Sequence, residues 1–267
     1  MTTVELKTTK ILAEIRGGVG WLTINQPERR NAVSLEMWDG IADAAETFEQ
    51  RSDVRVVVMH GAGGKAFASG ADISEFEKSR ANAEQQVRYG VVSSRGRKAL
   101  QSLTKPLIAM IEGFCVGGGL AIALTADIRF ATPDSKFAIP AAKLGLGYEY
   151  EGLAALARLV GPSTAKDMLF SGRKLDADEA LRVGLINQIV ASDALQAFVS
   201  DYAGIVAGNA PLTVHAAKAA IRVFEKYSAD PESSEVAKLV VRCFDSADYQ
   251  EGRRAFMEKR KPQFQGK

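Results

Sequence analysis

Residues 66–76 read AFASGADISEF and residues 115–121 read CVGGGLA. Each places glycine at the end of an apolar run that reads as a strand and ahead of a segment that reads as a helix. Glycine inside such an element costs roughly 0.5–1 kcal/mol relative to alanine, so the succession Gly117, Gly118 and Gly119 implies a need for bare backbone. The first turn of a helix leaves N–H groups without intrahelical partners, and the helix dipole adds partial positive charge at the same place. Such a junction can receive an anion or an oxygen on which negative charge develops. Two junctions brought together from separate loops could grip one oxygen.

Other chemistry is thinly represented. His60 and His215 are the only histidines, and Cys115 and Cys243 stand far apart with no CxxC or Cys/His cluster. A disulfide framework, a metal site and Ser-His or Cys-His catalysis are therefore not expected. Glycines at 113, 117, 118 and 119 do not make GxGxxG, and GAGGKA at 61–66 lacks the spacing and the Ser/Thr of a phosphate loop. These absences disfavour a nicotinamide-dependent dehydrogenase and a nucleotide triphosphatase. The 34 Lys+Arg nearly balance the 32 Asp+Glu, so neither nucleic acid nor a membrane surface is an expected partner. The start MTTVELKTTKILAEI lacks the pattern of a secretory signal, and no apolar stretch reaches membrane-spanning length. The expectation is a cytoplasmic protein with a small-molecule partner.

The elements that must position the glycines follow from periodicity. Residues 11–16 and 21–25 alternate about the turn GGVG and predict a hairpin. Ser34 stands as the N-cap of a helix carrying Leu35, Trp38, Ile41, Ala45 and Phe48 on one face. The runs at 54–61 and 105–113 read as strands, the former buried on both faces. IRFAT and KFAIP add two short strands, and LINQIV at 185–190 a last one. GPSTAKDMLFSG and a capping box from Asp176 to Glu179 predict two helices. From Asp193 onward the pattern is helical, with Pro211 in a first turn and a loop at 230–235 leading into the last two helices.

These segments together resemble the enoyl-CoA hydratase/isomerase, or crotonase, family. The resemblance rests on NQPERRNAVS (25–34), AFASGADISEF (66–76), KPLIAMIEGFCVGGGLAIALTADIRFAT (105–132), FAIPAAKLGLG (137–147), SGRKLDADEALRVGLINQIV (171–190) and GRRAFMEKRKPQF (252–264), six stretches in the family's order. It implies an α/β spiral of β-βα units over residues 1–192. A helical region, 193–267, would then serve oligomerisation as a homotrimer or a dimer of trimers. It also implies an acyl-CoA substrate whose thioester carbonyl lies between the backbone N–H groups of Ala71 and Gly118. A side chain at Gly118 would obstruct the acyl group. Coenzyme A is part of the substrate, and no separate cofactor is implied. Carried over position by position, the substrate-binding set is Arg29, Arg30, Ala32, Ser69, Asp72, Ile73, Gly117 and Lys259. Arg29 and Arg30 would meet phosphates or pantetheine, and Lys259 the adenine end.

The family's hydratases use two glutamates, where this sequence has Ala121 and Ala141. Adding water across a double bond is work two carboxylates ordinarily share, so isomerase-type chemistry is expected in place of hydration. The candidate acid/base is Glu149, at the position where some isomerases of the superfamily carry an aspartate. Tyr148 aligns with a tyrosine of a malonyl-type decarboxylase. Alternatively, Glu149 and Glu151 only charge the first turn of a helix starting near Gly152, favourable against its dipole, and Tyr148 only lines a pocket. A decarboxylase, a thioester hydrolase and a non-catalytic acyl-CoA binder stay open. Asp72 and Asp127 read as caps beside strand–helix junctions, His60 as a satisfied core or loop residue, and Cys115 as a packed small hydrophobe.

Overall fold

Residues 1–72, 83–148, 150–227, 245–260 and 262–263 are described by a computed structural model. Ile73, Glu149, Cys243 and the loop expected at 230–235 lie outside the described residues.

The hairpin forms as its turn chemistry demands. Strands β2 (Ile11–Arg16) and β3 (Val19–Ile24) pair antiparallel around Gly17 and Gly18, whose φ values of 55° and 82° suit glycine. β1 (Thr2–Val4) adds to the outer edge of β2. Beyond β3 the sheet becomes parallel through β4 (Val56–Gly61), β6 (Leu107–Ile111), β8 (Ile128–Ala131) and β10 (Gln188–Ile189). β4 needs apolar residues on both sides because both faces are covered. Val57 and Met59 point into the main core with helix α1 (Leu35–Gln50), whereas Val56 and Val58 join Leu195, Val199 and Ala203 of helix α6 (Leu195–Gly208). Burying a side chain of this size stabilises by about 1.5–3 kcal/mol. The helix assigned by pattern to the C-terminal region thus covers one face of the central sheet.

The Ser34 cap forms, its Oγ accepting from Met37 N at 3.3 Å. The expected strand over 185–190 shrinks to two residues for a local reason. The amides of Leu185 and Ile186 both turn back to Ala180 O, closing helix α5 (Ala177–Arg182). Helix α4 (Tyr150–Ser171) bends at Gly161, where φ is 76° and Pro162 follows, so two helical segments abut without a loop. Asp127 is not a helix cap. Its Oδ2 accepts from Leu107 N at 2.6 Å and from the Lys218 ammonium at 2.6 Å. Lys218 belongs to helix α7 (Pro211–Tyr227) and also donates to Lys105 O, so this one carboxylate ties that helix to the entrance of β6.

A second sheet joins three short parallel strands: β5 (Ala66–Ala68), β7 (Phe114–Val116) and β9 (Lys136–Ala138), the last being the strand expected at KFAIP. It places the two glycine-bearing segments side by side. Helix α2 (Ala83–Ser102) packs on α1, and helix α8 (Ala247–Met257) packs on the turn at 141–145, where a Cβ on Gly252 would come 2.6 Å from Leu144. No described helix is long and apolar enough to cross a membrane.

Candidate functional site

The first junction follows β5. Val33 N donates to Gly70 O at 2.8 Å, and Val33 O accepts from Asp72 N at 3.0 Å. Val33 thereby engages the residues on either side of Ala71, which leaves the N–H of Ala71 pointing the other way, as in any parallel ladder. On that other side lies Gly118: a Cβ built there would stand 3.5 Å from Ala71 N and 3.6 Å from Gly70 C.

The second junction explains the glycine run residue by residue. Gly117 has φ 53° and ψ −118°, donates to Ala138 O at the end of β9, and accepts from Ala121 N to open helix α3 (Gly118–Ala123). Only glycine adopts that backbone readily. Gly118 is the first helical residue, so its N–H has no intrahelical acceptor. Gly119 presses on β5, where a Cβ would come within 2.1 Å of Ala68 O. The run supplies a backbone rotation, open space beside the Ala71 amide, and a close contact between helix and strand.

Ala71 and Gly118 both line a cavity of about 240 Å³. Ser69, Gly70 and Gly117 belong to the same wall, and Ala121, Ala141 and Tyr148 face the same space. Two amides that share an oxygen at the wall of a mostly apolar cavity would stabilise charge on it better than water does. No aspartate or glutamate lines the cavity among the described residues. No three His, Cys, Asp or Glu side chains among them gather as a metal would require.

The other site candidates fall elsewhere. Asp72, expected as a cap, is buried and accepts from Arg29 Nη1 at 2.9 Å and from Gln26 Nε2 at 3.4 Å, so it fastens the loop around Ala32 to the first junction. Ala32 itself is half-buried, its carbonyl accepting from the same Gln26 amide. Arg30 lies over the Phe114 ring at 5.3 Å, with Lys174 at 5.2 Å from the same ring. Lys259 is exposed at the end of α8 with φ 53°. Glu151 sits in the first turn of α4.

Two reactive side chains are spent on structure. Cys115 is fully buried, which pushes its thiol well above the usual range and away from the nucleophilic thiolate. His60 shares a hydrogen bond of 3.0 Å with Thr23 Oγ1, packs edge-on to Trp21, and is held below the usual histidine pKa by burial.

Sequence reasoning did not find the far wall, made of Trp38 from α1 and Tyr89, Ser93 and Arg97 from α2, nor Phe256 of α8. A signal was present. Positions 89, 93 and 97 recur at four-residue steps, which stacks them on one helical face.

The fold is that of the crotonase-type acyl-CoA enzymes. Residues 14–267 match the enoyl-CoA hydratase/isomerase family, and the chain belongs to it. It is 33% identical over 256 residues to the short-chain-enoyl-CoA hydratase of Clostridium acetobutylicum, covering 96% of this chain and 97% of that one. Among solved structures it resembles an enoyl-CoA hydratase/carnithine racemase from Magnetospirillum magneticum, at 40% identity and TM-score 0.80, with 98% of this chain and 97% of that one aligned. It also resembles a methylmalonyl-CoA decarboxylase in complex with 2-nitronate-propionyl-CoA, at 28% identity and TM-score 0.88, with 97% and 99% aligned.

Proposed function

We propose that this family member binds an acyl-CoA with its thioester oxygen between the N–H groups of Ala71 and Gly118, and that it shifts a double bond in the acyl chain. The observation that carries the proposal is the approach of Gly118 to the Ala71 amide at the cavity wall. Removal of a proton beside the carbonyl sends charge onto the thioester oxygen, where both amides stabilise it. Return of the proton to the γ-carbon completes the shift. One shuttling base suffices, whereas hydration asks for a second group to activate water. Ala121 and Ala141 at the cavity supply neither, and Glu149 is the assigned base. Arg29, Arg30 and Lys259 are assigned to the nucleotide portion of the substrate, and the assembly is a cytoplasmic homotrimer or a pair of trimers.

Rates with 2-enoyl-, 3-enoyl- and dienoyl-CoA, for wild type and Glu149→Gln, test the assignment. Isomerisation abolished in the variant is the expected result; an unchanged rate removes Glu149 from the mechanism. A second reading is favoured by the position of Tyr148 at the cavity wall. Loss of CO₂ from a malonyl-type thioester leaves its electron pair on the α-carbon, in conjugation with the gripped carbonyl, and needs no base to start. Release of CO₂ from malonyl- or methylmalonyl-CoA without any double-bond shift selects that reading. Tight binding of thioesters with no turnover of either kind would mark a binder.

A further inference from the structure

Helix α8 ends in a turn that glycine ordinarily makes. Lys259 N donates to Phe256 O at 3.2 Å and Arg260 N to Ala255 O at 3.0 Å, the paired bonds that close a helix when the residue after its cap is left-handed. Glycine is favoured there because a Cβ in that region crowds the following carbonyl oxygen. Here the residue is Lys259, at φ 53°. Among the described residues, the other non-glycine positions with positive φ are Arg30 and Asn31, and Arg30 is likewise assigned to the coenzyme. Costly backbone that persists because its surroundings hold it is a mark of functional sites. At this turn the surroundings centre on Glu251. Its Oε1 accepts from Arg260 Nη1 at 2.6 Å and from Gln263 N at 3.0 Å, and its Oε2 accepts from Arg254 Nη2 at 2.6 Å and from Arg260 Nη2 at 3.0 Å. One carboxylate thus clamps the chain beyond Lys259 back onto the helix that precedes it.

The clamp stands beside the cavity. Glu251 precedes Gly252, which presses on Leu144, and both Leu144 and Phe256 line the cavity. Lys259 follows Phe256 by three residues and is exposed. A lysine on a loose chain end pays for each contact in lost freedom of its long side chain and of the backbone beneath it. Fixing that backbone in advance lowers the cost of gripping an anionic ligand. We infer that Glu251 is a positioning residue for the nucleotide end of the substrate, acting through Lys259, whose left-handed turn it locks onto α8. A glycine at 259 would close the helix with less strain and present no charge. The inference rests on the acyl-CoA reading above and adds the side chain that sets the coenzyme contact.

Butyryl-CoA and S-butyryl-pantetheine share the acyl arm and differ in the nucleotide, so the ratio of their dissociation constants isolates the coenzyme end. Both are titrated calorimetrically into the full-length protein. Lys259→Gly should weaken butyryl-CoA about two- to fivefold, the worth of one exposed charged contact. It should leave the pantetheine thioester unchanged and raise the melting temperature, because glycine relieves the turn. Glu251→Ala should weaken butyryl-CoA alone by a similar factor while lowering the melting temperature, and Glu251→Gln, which keeps an oxygen acceptor, should retain part of the affinity. In a Lys259→Gly background Glu251→Ala should change the ratio no further, since the one residue acts through the other. A Glu251→Ala variant that weakens both thioesters alike, leaves butyryl-CoA untouched, or adds its full effect to that of Lys259→Gly overturns the inference. Should that variant fail to fold, Lys259→Gly still decides: unchanged butyryl-CoA affinity or a lowered melting temperature overturns it. Each of these results leaves thioester binding by the wild type intact. Failure of the wild type to bind butyryl-CoA overturns this inference together with the reading beneath it.

Discussion

Proline at position 118 would delete one amide hydrogen while sparing the backbone around it. Gly118 is the first residue of α3, the helical position where proline is best tolerated because that N–H has no intrahelical acceptor to lose. The residue before it, Gly117, sits at φ 53° and ψ −118°, the mirror image of the extended region that a residue preceding proline prefers and one that glycine can occupy. Gly118→Pro therefore removes the donor with little expected loss of fold. Alanine is the matched control: its Cβ would stand at 3.5 Å from Ala71 N, ordinary contact, and the N–H remains. Steric effects of the added carbon appear in both variants, so their difference reports the hydrogen bond and the extra ring atoms. Loss of such a donor costs about 10²–10³ in turnover, roughly 2.7–4 kcal/mol of transition-state stabilisation. The assay is kcat and KM on the best thioester found in the substrate panel, with thermal melts alongside. A proline variant that stays folded and turns over within about threefold of the alanine variant, a difference under about 0.7 kcal/mol, would refute the assignment of Gly118 N–H to the reacting oxygen.

Gly119→Ala should be far more damaging to stability than Gly118→Ala, because its Cβ would meet Ala68 O at 2.1 Å and Ala68 Cβ at 2.7 Å. Urea denaturation should register a loss of about 1–3 kcal/mol or more. Asn31 is fully buried in a left-handed conformation, accepting from Gln26 N and donating to Ala62 O and Ala66 O at 2.9 and 2.7 Å. Asn31→Ala should cost at least about 1–3 kcal/mol by the same measurement, since several buried groups lose their partner. Lys218 is held below its ordinary value of 10.5 by burial, which outweighs the pull of Asp127. The unfolded chain then binds that proton more tightly, so this group's contribution to stability rises as pH climbs through the folded value toward 10.5. Lys218→Met should flatten that rise in denaturation curves recorded from pH 8 upward, and an unaltered slope would contradict the assignment.

Local signals carried much of the fold. The glycine pair of the first hairpin, the Ser34 cap and the doubly buried run of β4 each have causes within a few residues, and each appears where the sequence reading places it. Of the second sheet only β9 was legible, at the KFAIP run, because β5, β7 and β9 have three residues each and the sheet exists only through pairings between distant segments. Asp127 read as a cap because capping is what an aspartate beside a helix does locally, whereas its partner Lys218 lies 91 residues away. The segment that Asp72 would cap lies outside the described residues, and its partner Arg29 lies 43 residues away. At the site, the glycine run was legible because backbone needs leave a mark on composition, whereas Ala71 was named only through the family resemblance. The α2 face was not, since a tyrosine, a serine and an arginine at helical spacing look like any solvated surface until the fold turns them inward.

If Ala71 and Gly118 hold the reacting oxygen as proposed, its contacts come from the main chain, at the margin of a small sheet whose pairing involves none of residues 121, 141 or 148. No substitution other than proline removes an amide hydrogen, whereas those three side chains can be exchanged freely. The scaffold thus separates a fixed electrophile-activating device from an interchangeable set of tools around it. Installing carboxylates at 121 and 141 becomes a question of retooling, with the underlying apparatus left in place.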